Sequence, residues 1–338
     1  MGAILALTAA TFITVAAPTA NAAPAPVVQP AAAVTADRLP TVQVDGVVWS
    51  QAVVGNTVYA GGRFNNARPA GAAPGTNLAP RGNLLAYDIT TGNLVTSFAP
   101  TLNGQVLSVA ASPDGSRIYV AGDFTVANGQ ARARVAAYSV ATGALITAFN
   151  PSGPNSQARA VIATNDSVYV GGGFLGLGNG TLRNNLVAYR ASDGAVLPWN
   201  PNADYTVWAL ATSADGASVF AGGSFQNVGG QAAYGLAKIN GASGALDTSW
   251  KPSVRNAGND AGISSLRVQG SFVYGTTWHF GPGGNLEGTF KVPVGNSDVE
   301  WVTDCHGDTY SSFMANGIVY VAGHAHYCGN MGGGFPQY

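Results

Sequence analysis

An internal repeat with a period near fifty residues constrains the fold of this chain more than any other feature. Six segments share a run of an apolar residue, an aromatic residue and several small residues, at 58–64, 118–124, 168–174, 219–225, 273–280 and 319–324. The segments start 60, 50, 51, 54 and 46 residues apart. Such a period is typical of arrays in which each repeat is one supersecondary unit.

Each of these segments is predicted to be the second strand of a β-hairpin. A tight turn precedes it in every repeat, at Gly55-Asn56, Asp114-Gly115, Asn165-Asp166, Asp215-Gly216, Gln269-Gly270 and Asn316-Gly317. Asn, Asp and Gly accept the positive φ that a two-residue hairpin turn demands. Apolar-rich runs such as 106–110 and 207–211 come before the turns and are predicted to form the first strands.

A second pair of strands is predicted in the first four repeats. Candidate third strands lie at 84–88, 135–138, 186–189 and 236–239. Each is followed by a turn ending in Gly and by a fourth strand that closes on an aromatic residue, at Phe98, Phe149, Trp199 and Trp250. A proline then follows and would end the pairing. Four antiparallel strands per repeat predict an all-β fold, a β-propeller of four-stranded blades.

About six blade repeats are visible, and the last two are irregular. The fifth offers only 286–294 as an outer pair of strands, and the sixth lacks an outer pair, so the last blade is predicted to be incomplete. Two explanations stay open. Either a strand at 42–44 closes the ring by pairing into the last blade, or the chain is the front part of a longer protein, truncated at its C-terminus.

The composition favours strands over helices. Glycine accounts for 46 of the 338 residues, roughly double the average share of about 7%. Charged residues account for 9%, against an average of about 25%. Residues that favour helices, such as Lys and Glu, are therefore few. The formal net charge is −1 and no basic stretch occurs, which argues against nucleic acid as a partner.

The N-terminal residues differ from the rest of the chain. An apolar run at 4–17 precedes Ala20-Asn21-Ala22, a small-x-small pattern that signal peptidases cut. We therefore expect a signal peptide at 1–22, an Ala/Pro-rich linker at 23–37 and the propeller at 38–338. The apolar run is shorter than the roughly 20 residues that a spanning helix needs. The mature chain is thus predicted to be secreted or held at the cell surface, without a transmembrane segment.

Two cysteines and three of the four histidines lie close together in the sixth repeat. In an exported protein, the pair Cys305 and Cys328 predicts one disulfide. Five candidate metal ligands lie in the same segment, namely His306, His324, His326, Asp304 and Asp308. Alternation along a strand would place His324, His326 and Cys328 on one face, and the bridge would bring a third ligand near.

Mixed His and carboxylate ligands suit Zn²⁺ or another transition metal, so this segment is a candidate metal site. Two other interpretations stay open. One is a disulfide-stapled loop whose histidines hydrogen-bond to the backbone. The other is a structural zinc held by both thiolates and two histidines.

The repeat motif resembles a known propeller family. Val168-Tyr-Val-Gly-Gly-Gly-Phe174, together with Leu84-Leu-Ala-Tyr-Asp88 and the following Thr-Gly turn, is similar to the delta-sixty-type β-propeller repeats of exported actinobacterial proteins. The resemblance covers roughly residues 40 to 330. It implies a propeller and a location at the cell surface rather than a particular reaction.

A second resemblance concerns the turn after the third strand. Tyr87-Asp-Ile-Thr-Thr-Gly92 and Tyr138-Ser-Val-Ala-Thr-Gly143 resemble the Asp-x-x-Thr-Gly repeat of quinoprotein dehydrogenases. Those propellers hold pyrroloquinoline quinone and Ca²⁺ on their axis, beside a disulfide between adjacent cysteines. This chain has no adjacent cysteines, so the resemblance implies a related fold more than a shared cofactor.

A clear repeat without a complete catalytic constellation favours a non-catalytic binding scaffold. We expect its partner to be an extracellular glycan, a cell-envelope polymer or another surface protein. The first alternative is a metal-dependent extracellular enzyme, with His306, His324 and His326 as ligands and Asp304 or Asp308 as base. The second is a quinoprotein-like oxidoreductase.

Overall fold

The structure, a computed structural model, describes residues 40–328. The predicted signal peptide at 1–22 and the predicted linker at 23–37 lie outside these residues. The described range consists of β-strands, turns and loops, and it holds no helix with the length and hydrophobicity to cross a membrane. The prediction of an all-β fold is confirmed.

The described residues contain 25 strands, numbered in chain order: β1 (Gln43–Val44), β2 (Val47–Val54), β3 (Thr57–Arg63), β4 (Asn66–Arg68), β5 (Ala79–Pro80), β6 (Leu84–Asp88), β7 (Val106–Ala111), β8 (Arg117–Gly122), β9 (Val126–Ala127), β10 (Gln130–Ala131), β11 (Val135–Ser139), β12 (Ala158–Ala163), β13 (Ser167–Gly172), β14 (Leu186–Arg190), β15 (Val207–Thr212), β16 (Ser218–Gly223), β17 (Asn227–Val228), β18 (Gln231–Ala232), β19 (Leu236–Asn240), β20 (Ala261–Gln269), β21 (Phe272–His279), β22 (Gly288–Pro293), β23 (Trp301–Asp304), β24 (Thr309–Ala315) and β25 (Ile318–Gly323).

Each repeat contributes one main antiparallel sheet, and small additional sheets are formed by β1-β4-β5 in the first repeat, β9-β10 in the second and β17-β18 in the fourth. The first four sheets are β2-β3-β6, β7-β8-β11, β12-β13-β14 and β15-β16-β19, with the second strand in the middle. In the third sheet, for example, Val168 of β13 pairs with Ala163 of β12 on one side and with Tyr189 of β14 on the other. The predicted hairpins and third strands of these four repeats are therefore present.

The predicted fourth strands are reduced to single bridging residues. They lie opposite the third strand in the pairs Tyr87–Leu94, Tyr138–Leu145, Tyr189–Val196 and Ile239–Leu246. Pairing stops there because the chain turns inward to bury the aromatic residue that follows. Trp199, for example, packs edge-to-face on Tyr169 of the second strand, with ring centroids 5.0 Å apart, a geometry that aromatic pairs favour.

The last two repeats depart from this pattern in opposite ways. The fifth forms the four-stranded sheet β20-β21-β22-β23, so the expectation that its outer pair is confined to 286–294 is wrong. Strand β23 follows a loop that lacks the Gly-terminated turn of the other repeats, which is why the sequence pattern missed it. Within the described residues, the sixth sheet contains only β24 and β25.

The first described strand, β1, does not pair into the last repeat, so one of the two explanations for the incomplete last blade is wrong. Gln43 and Val44 lie opposite Arg68 and Ala67 in β4, so β1 belongs to the first repeat and not to the last. The reason is burial, because Val42 packs in a cluster with residues of the first repeat that includes Phe64.

Neighbouring sheets pack through their first and second strands. The first strands contact one another in chain order, from β2 to β7, β12, β15, β20 and β24. Glycines in the second strands make this approach possible, since an added Cβ would lie 2.4, 2.6 and 2.8 Å from a side chain of the next sheet in the pairs Gly61–Val106, Gly171–Val207 and Gly222–Ile263. In the second repeat Ala121 replaces the glycine, and the next sheet carries the smaller Ala158. At three junctions a glycine thus faces a larger side chain, and between the second and third repeats an alanine faces an alanine.

Candidate functional site

A one-residue β-bulge interrupts the first strand of every repeat. The bulged residues are Trp49, Leu107, Arg159, Trp208, Ser264 and Tyr310. A bulge redirects the extra side chain relative to the regular pleat. All six of these side chains line one cavity of about 740 Å³, a volume in the range of about 300–1,000 Å³ that is common for ligand sites.

The cavity combines aromatic, hydroxyl and cationic groups. Its lining includes Ser50, Ser108, Ser265 and Ser311 near the bulges, and its charged members are Arg159 and Arg267. Asp and Glu do not occur among the lining residues of this described cavity. The site is therefore positively charged, with both hydrogen-bonding groups and flat apolar surfaces.

Arg159 and Trp208 stack on each other in the lining of the cavity. The guanidinium carbon of Arg159 lies 4.0 Å from the ring centroid of Trp208, within the range of a cation–π interaction. The indole Nε1 of Trp208 donates to Oγ of Ser224 at 3.1 Å, which fixes the ring orientation. Burial lowers the pKa of Arg159, and the nearby Asp123 carboxylate partly opposes this shift. Arginine keeps its charge at neutral pH in spite of such shifts.

A hydrogen-bonded chain holds the bulged residue of the first repeat. Trp49 is 54% exposed, yet its Nε1 donates to Oε1 of Gln105 at 3.1 Å. Nε2 of Gln105 in turn donates to Oδ2 of Asp123 at 2.6 Å, and Nε2 of Gln157 donates to the same oxygen at 2.8 Å. The indole is thus positioned before any ligand arrives, which lowers the entropy lost on binding.

The opposite side of the cavity is formed by the fifth and sixth repeats. The guanidinium of Arg267 lies 4.6 Å from the ring centroid of Phe313. A smaller cavity of about 330 Å³ lies between the first strands of the first and sixth repeats, and Trp49, Arg267 and Phe313 line both spaces. The smaller cavity is therefore lined by residues of the first, fifth and sixth repeats.

The predicted disulfide is present. Sγ of Cys305 and Sγ of Cys328 are bonded, and the two Cα atoms lie 3.9 Å apart, closer than the roughly 5.5 Å expected for a typical bridge. The carbonyl of Cys305 also accepts hydrogen bonds from the backbone N–H groups of His326 and Tyr327, each at 3.0 Å. The bridge is one of several links between the two segments.

The expected strand through the paired histidines is wrong. Strand β25 ends at Gly323, and 324–328 have no regular structure. The rings of His324 and His326 still lie near each other, with centroids 5.0 Å apart. The hydroxyl of Tyr310 lies 3.4 Å from Nδ1 of His324 and donates to Oδ2 of Asp308 at 3.3 Å. Tyr310 also lines the large cavity, whereas Asp308 and His324 are not among its lining residues.

The two remaining candidate ligands, Asp304 and His306, lie in different kinds of local structure. Asp304 ends strand β23, opposite Gly288. His306 is exposed and has a left-handed backbone with φ of 43°. Within residues 40–328, no three His, Cys, Asp or Glu side chains are grouped to hold one ion. The metal site stays a prediction.

The sequence analysis missed the cavity itself. Its signal lies in the alignment of the repeats, where one position changes from Trp to Leu, Arg, Trp, Ser and Tyr among neighbours that stay small or apolar. Without the register of the bulges, this position could not be separated from ordinary strand positions.

No protein-family model matches this chain, and no curated protein matches it.

Proposed function

We propose that the six repeats are the blades of a β-propeller around the large cavity, and that this exported protein binds a segment of an acidic extracellular glycan there. One observation carries the proposal. The six bulges direct Trp49, Arg159, Trp208, Tyr310 and two smaller side chains toward one space.

Three observations support the ring. The first strands contact each other in chain order, and the same six strands line one cavity. Three of the junctions between neighbouring sheets match glycine with valine or isoleucine. A propeller explains all three, because its blades follow one another around an axis with their first strands innermost.

The chemistry of the lining favours an acidic sugar. The C–H face of a sugar ring is apolar and packs on an indole or phenol ring, while its hydroxyl groups match the serine side chains. Arg159 and Arg267 add two cations, and guanidinium groups bind carboxylates and sulfates through paired, charge-assisted hydrogen bonds. Asp123 offsets part of the charge of Arg159, and a neutral glycan would make no ionic contact with either arginine.

Binding fits this site better than hydrolysis. Glycoside hydrolases use a pair of carboxylic acids at the scissile bond, whereas the lining of this cavity is free of Asp and Glu among the described residues. Burial raises the pKa of Tyr310, and the adjacent Asp308 raises it further. Its hydroxyl therefore stays protonated at neutral pH and serves as a hydrogen-bond donor rather than as a base.

Export is supported by the predicted signal peptide and by the Cys305–Cys328 disulfide, since such bonds persist in oxidising compartments. The similarity to delta-sixty-type repeats agrees with a surface location. We therefore place the ligand outside the cell, among envelope or matrix polymers.

The test is binding to an array of carboxylated, sulfated and neutral glycans and to purified cell wall. We expect the wild-type protein to select acidic glycans. Trp208→Ala should lower the affinity by at least about tenfold, as expected when a half-buried aromatic side chain that a ligand covers is removed. The control Trp301→Ala removes a tryptophan outside the cavity lining and should leave binding unchanged. Blank arrays, or equal losses in both variants, would overturn the proposal.

A further inference from the structure

Three repeats carry an arginine at the same position, just before the third strand. In Arg81, Arg132 and Arg183, Nη1 donates to the carbonyl of the preceding residue at 2.7, 2.7 and 2.9 Å. In the second and third repeats, Nη2 also bonds to the outer segment, the stretch of chain that follows the third strand. It donates to the carbonyls of Thr147 and Leu197 at 3.2 and 3.1 Å. The side chain thus fills the space between the third strand and the outer segment.

The fourth repeat has Ala233 at this position, and a cavity of about 270 Å³ lies there. Leu246, Thr248 and Trp250 line it, and they occupy the sequence positions of Leu145, Thr147 and Phe149 in the second repeat. The cavity therefore corresponds to the space that arginine takes in the other repeats. Its walls are polar and apolar in about equal parts, and Leu236 and Val254 are among the apolar residues that line it.

The mouth of this cavity carries positive charge. Lys251 and Arg255 line it, and the guanidinium of Arg255 lies 5.0 Å from the ring centroid of Tyr234. The carboxylate of Asp247 also lines it, but it pairs with Nζ of Lys238 at 3.1 Å. Asp247 is the one carboxylate among the described lining residues, and it already pairs with Lys238. Lys251 and Arg255 therefore have no unpaired carboxylate beside them in the lining. This arrangement disfavours a cation in the cavity and favours an anion.

We propose that this cavity binds a compact organic anion. Its apolar body takes the space that arginine fills in the neighbouring repeats, and its anionic group lies against Lys251 and Arg255. The site is separate from the cavity lined by the six bulges, because none of its lining residues belongs to that cavity. The proposal therefore does not depend on glycan binding.

The test uses three probes of equal size and different charge, namely 4-fluorobenzoate, 4-fluorobenzamide and 4-fluorobenzylammonium, titrated by ligand-observed fluorine NMR. We expect saturable binding of the benzoate, weaker binding of the amide and the weakest binding of the ammonium. Arg255→Gln changes an exposed residue and should weaken benzoate binding by about tenfold, the loss of one charge-assisted hydrogen bond.

Three further variants locate the site. Ala233→Arg restores the side chain found in the other repeats and should abolish benzoate binding while the melting temperature is kept. Arg132→Ala opens the matching space in the second repeat, where Asn150 stands in place of Lys251, and should create no second benzoate site. Arg159→Gln, in the large cavity, should leave benzoate binding unchanged.

Four outcomes would overturn the proposal. These are equal binding of benzoate and benzamide, tighter binding of the ammonium, absence of saturable binding, and benzoate binding that survives Ala233→Arg. Tighter binding of the ammonium would instead make the cavity a socket for a partner's basic side chain. Loss of glycan binding in Arg159→Gln without any effect on benzoate would show that the two sites fail independently.

Discussion

The second strands of the third and sixth repeats have nearly the same sequence and different surroundings. Val168-Tyr-Val-Gly-Gly172 lies in β13 between two strands, and Val170 is fully buried. Val319-Tyr-Val-Ala-Gly323 lies in β25, which pairs with β24 alone among the described residues, and Val321 is 53% exposed. The motif by itself does not determine burial. A third strand and a neighbouring repeat do.

The largest expected difference comes from placing a charge at the matched valines. Val170→Asp buries a carboxylate without a partner and should lower the free energy of unfolding by at least about 3 kcal/mol. Val321→Asp lies on an exposed strand and should change it by no more than about 0.5 kcal/mol. Urea denaturation of both variants measures the difference. Equal losses would mean that the two strands are equally buried in solution.

Reduction of the disulfide should destabilise the sixth repeat and leave the stability of the other repeats unchanged. The bridge joins residues 23 positions apart, and a loop of that size predicts about 3 kcal/mol of stabilisation by chain entropy. The loss should be local, since both cysteines lie in or beside the sixth repeat. Hydrogen exchange with and without reductant should show faster exchange in β24 and β25 and unchanged exchange in β13. Uniform acceleration would contradict this localisation.

The packing between regular repeats can be tested at the junction of the third and fourth sheets. Gly171→Ala places a Cβ against Val207 and should cost about 1–3 kcal/mol through overpacking. Adding Val207→Ala should recover part of this loss, because the second and third repeats already match Ala121 with Ala158. A double-mutant cycle by denaturation measures the coupling, which we expect to exceed about 0.5 kcal/mol. Simple additivity would mean that the two residues do not pack together.

The smallest effect is expected at the hairpin turn of the second repeat. The hydroxyl of Ser112, followed by the backbone N–H and hydroxyl of Ser116, lowers the pKa of Asp114 from 3.8 to about 2. Because the folded-state pKa is depressed, these bonds stabilise the fold above about pH 4 and are lost as the pH falls toward 2. Asp114→Asn should make the melting temperature depend less on pH between about pH 4 and pH 2. The sixth repeat has Asn316 at its turn, and Asn316→Asp, the matched control, should leave the pH profile unchanged.

The regular part of the fold was accessible from the sequence because it depends on local patterns. Turn pairs such as Asp114-Gly115 and the recurring glycines define the hairpins, and two cysteines in one segment define the bridge. The single-residue fourth strands were not accessible, because burial of aromatics such as Trp199 competes with strand pairing. The pairing of β1 depends on Val42 finding a buried position in the first repeat, which no local pattern reveals.

The candidate site was less accessible for a different reason. The sequence drew attention to His306, His324 and His326 because their residue types suggest metal chemistry. The cavity instead arises from one position repeated six times, and its members, such as Trp49 and Arg159, share a bulge rather than a residue type. The space beside Ala233 exists because the fourth repeat lacks an arginine there. It is recognised by comparison with the arginines at the same position in the first three repeats.

The most direct test of the shared cavity is a set of distances between labelled hairpin turns, measured by double electron–electron resonance. Nitroxides at Asn56→Cys, Ala214→Cys and Asn316→Cys report on the exposed turns of the first, fourth and sixth repeats, and both native cysteines are held in the disulfide. A ring of six blades makes the first and sixth repeats neighbours and the first and fourth opposite. The account predicts a shorter distance for the 56–316 pair than for the 56–214 pair. A longer distance for 56–316 would contradict it, because the repeats would then form an open row without a common cavity.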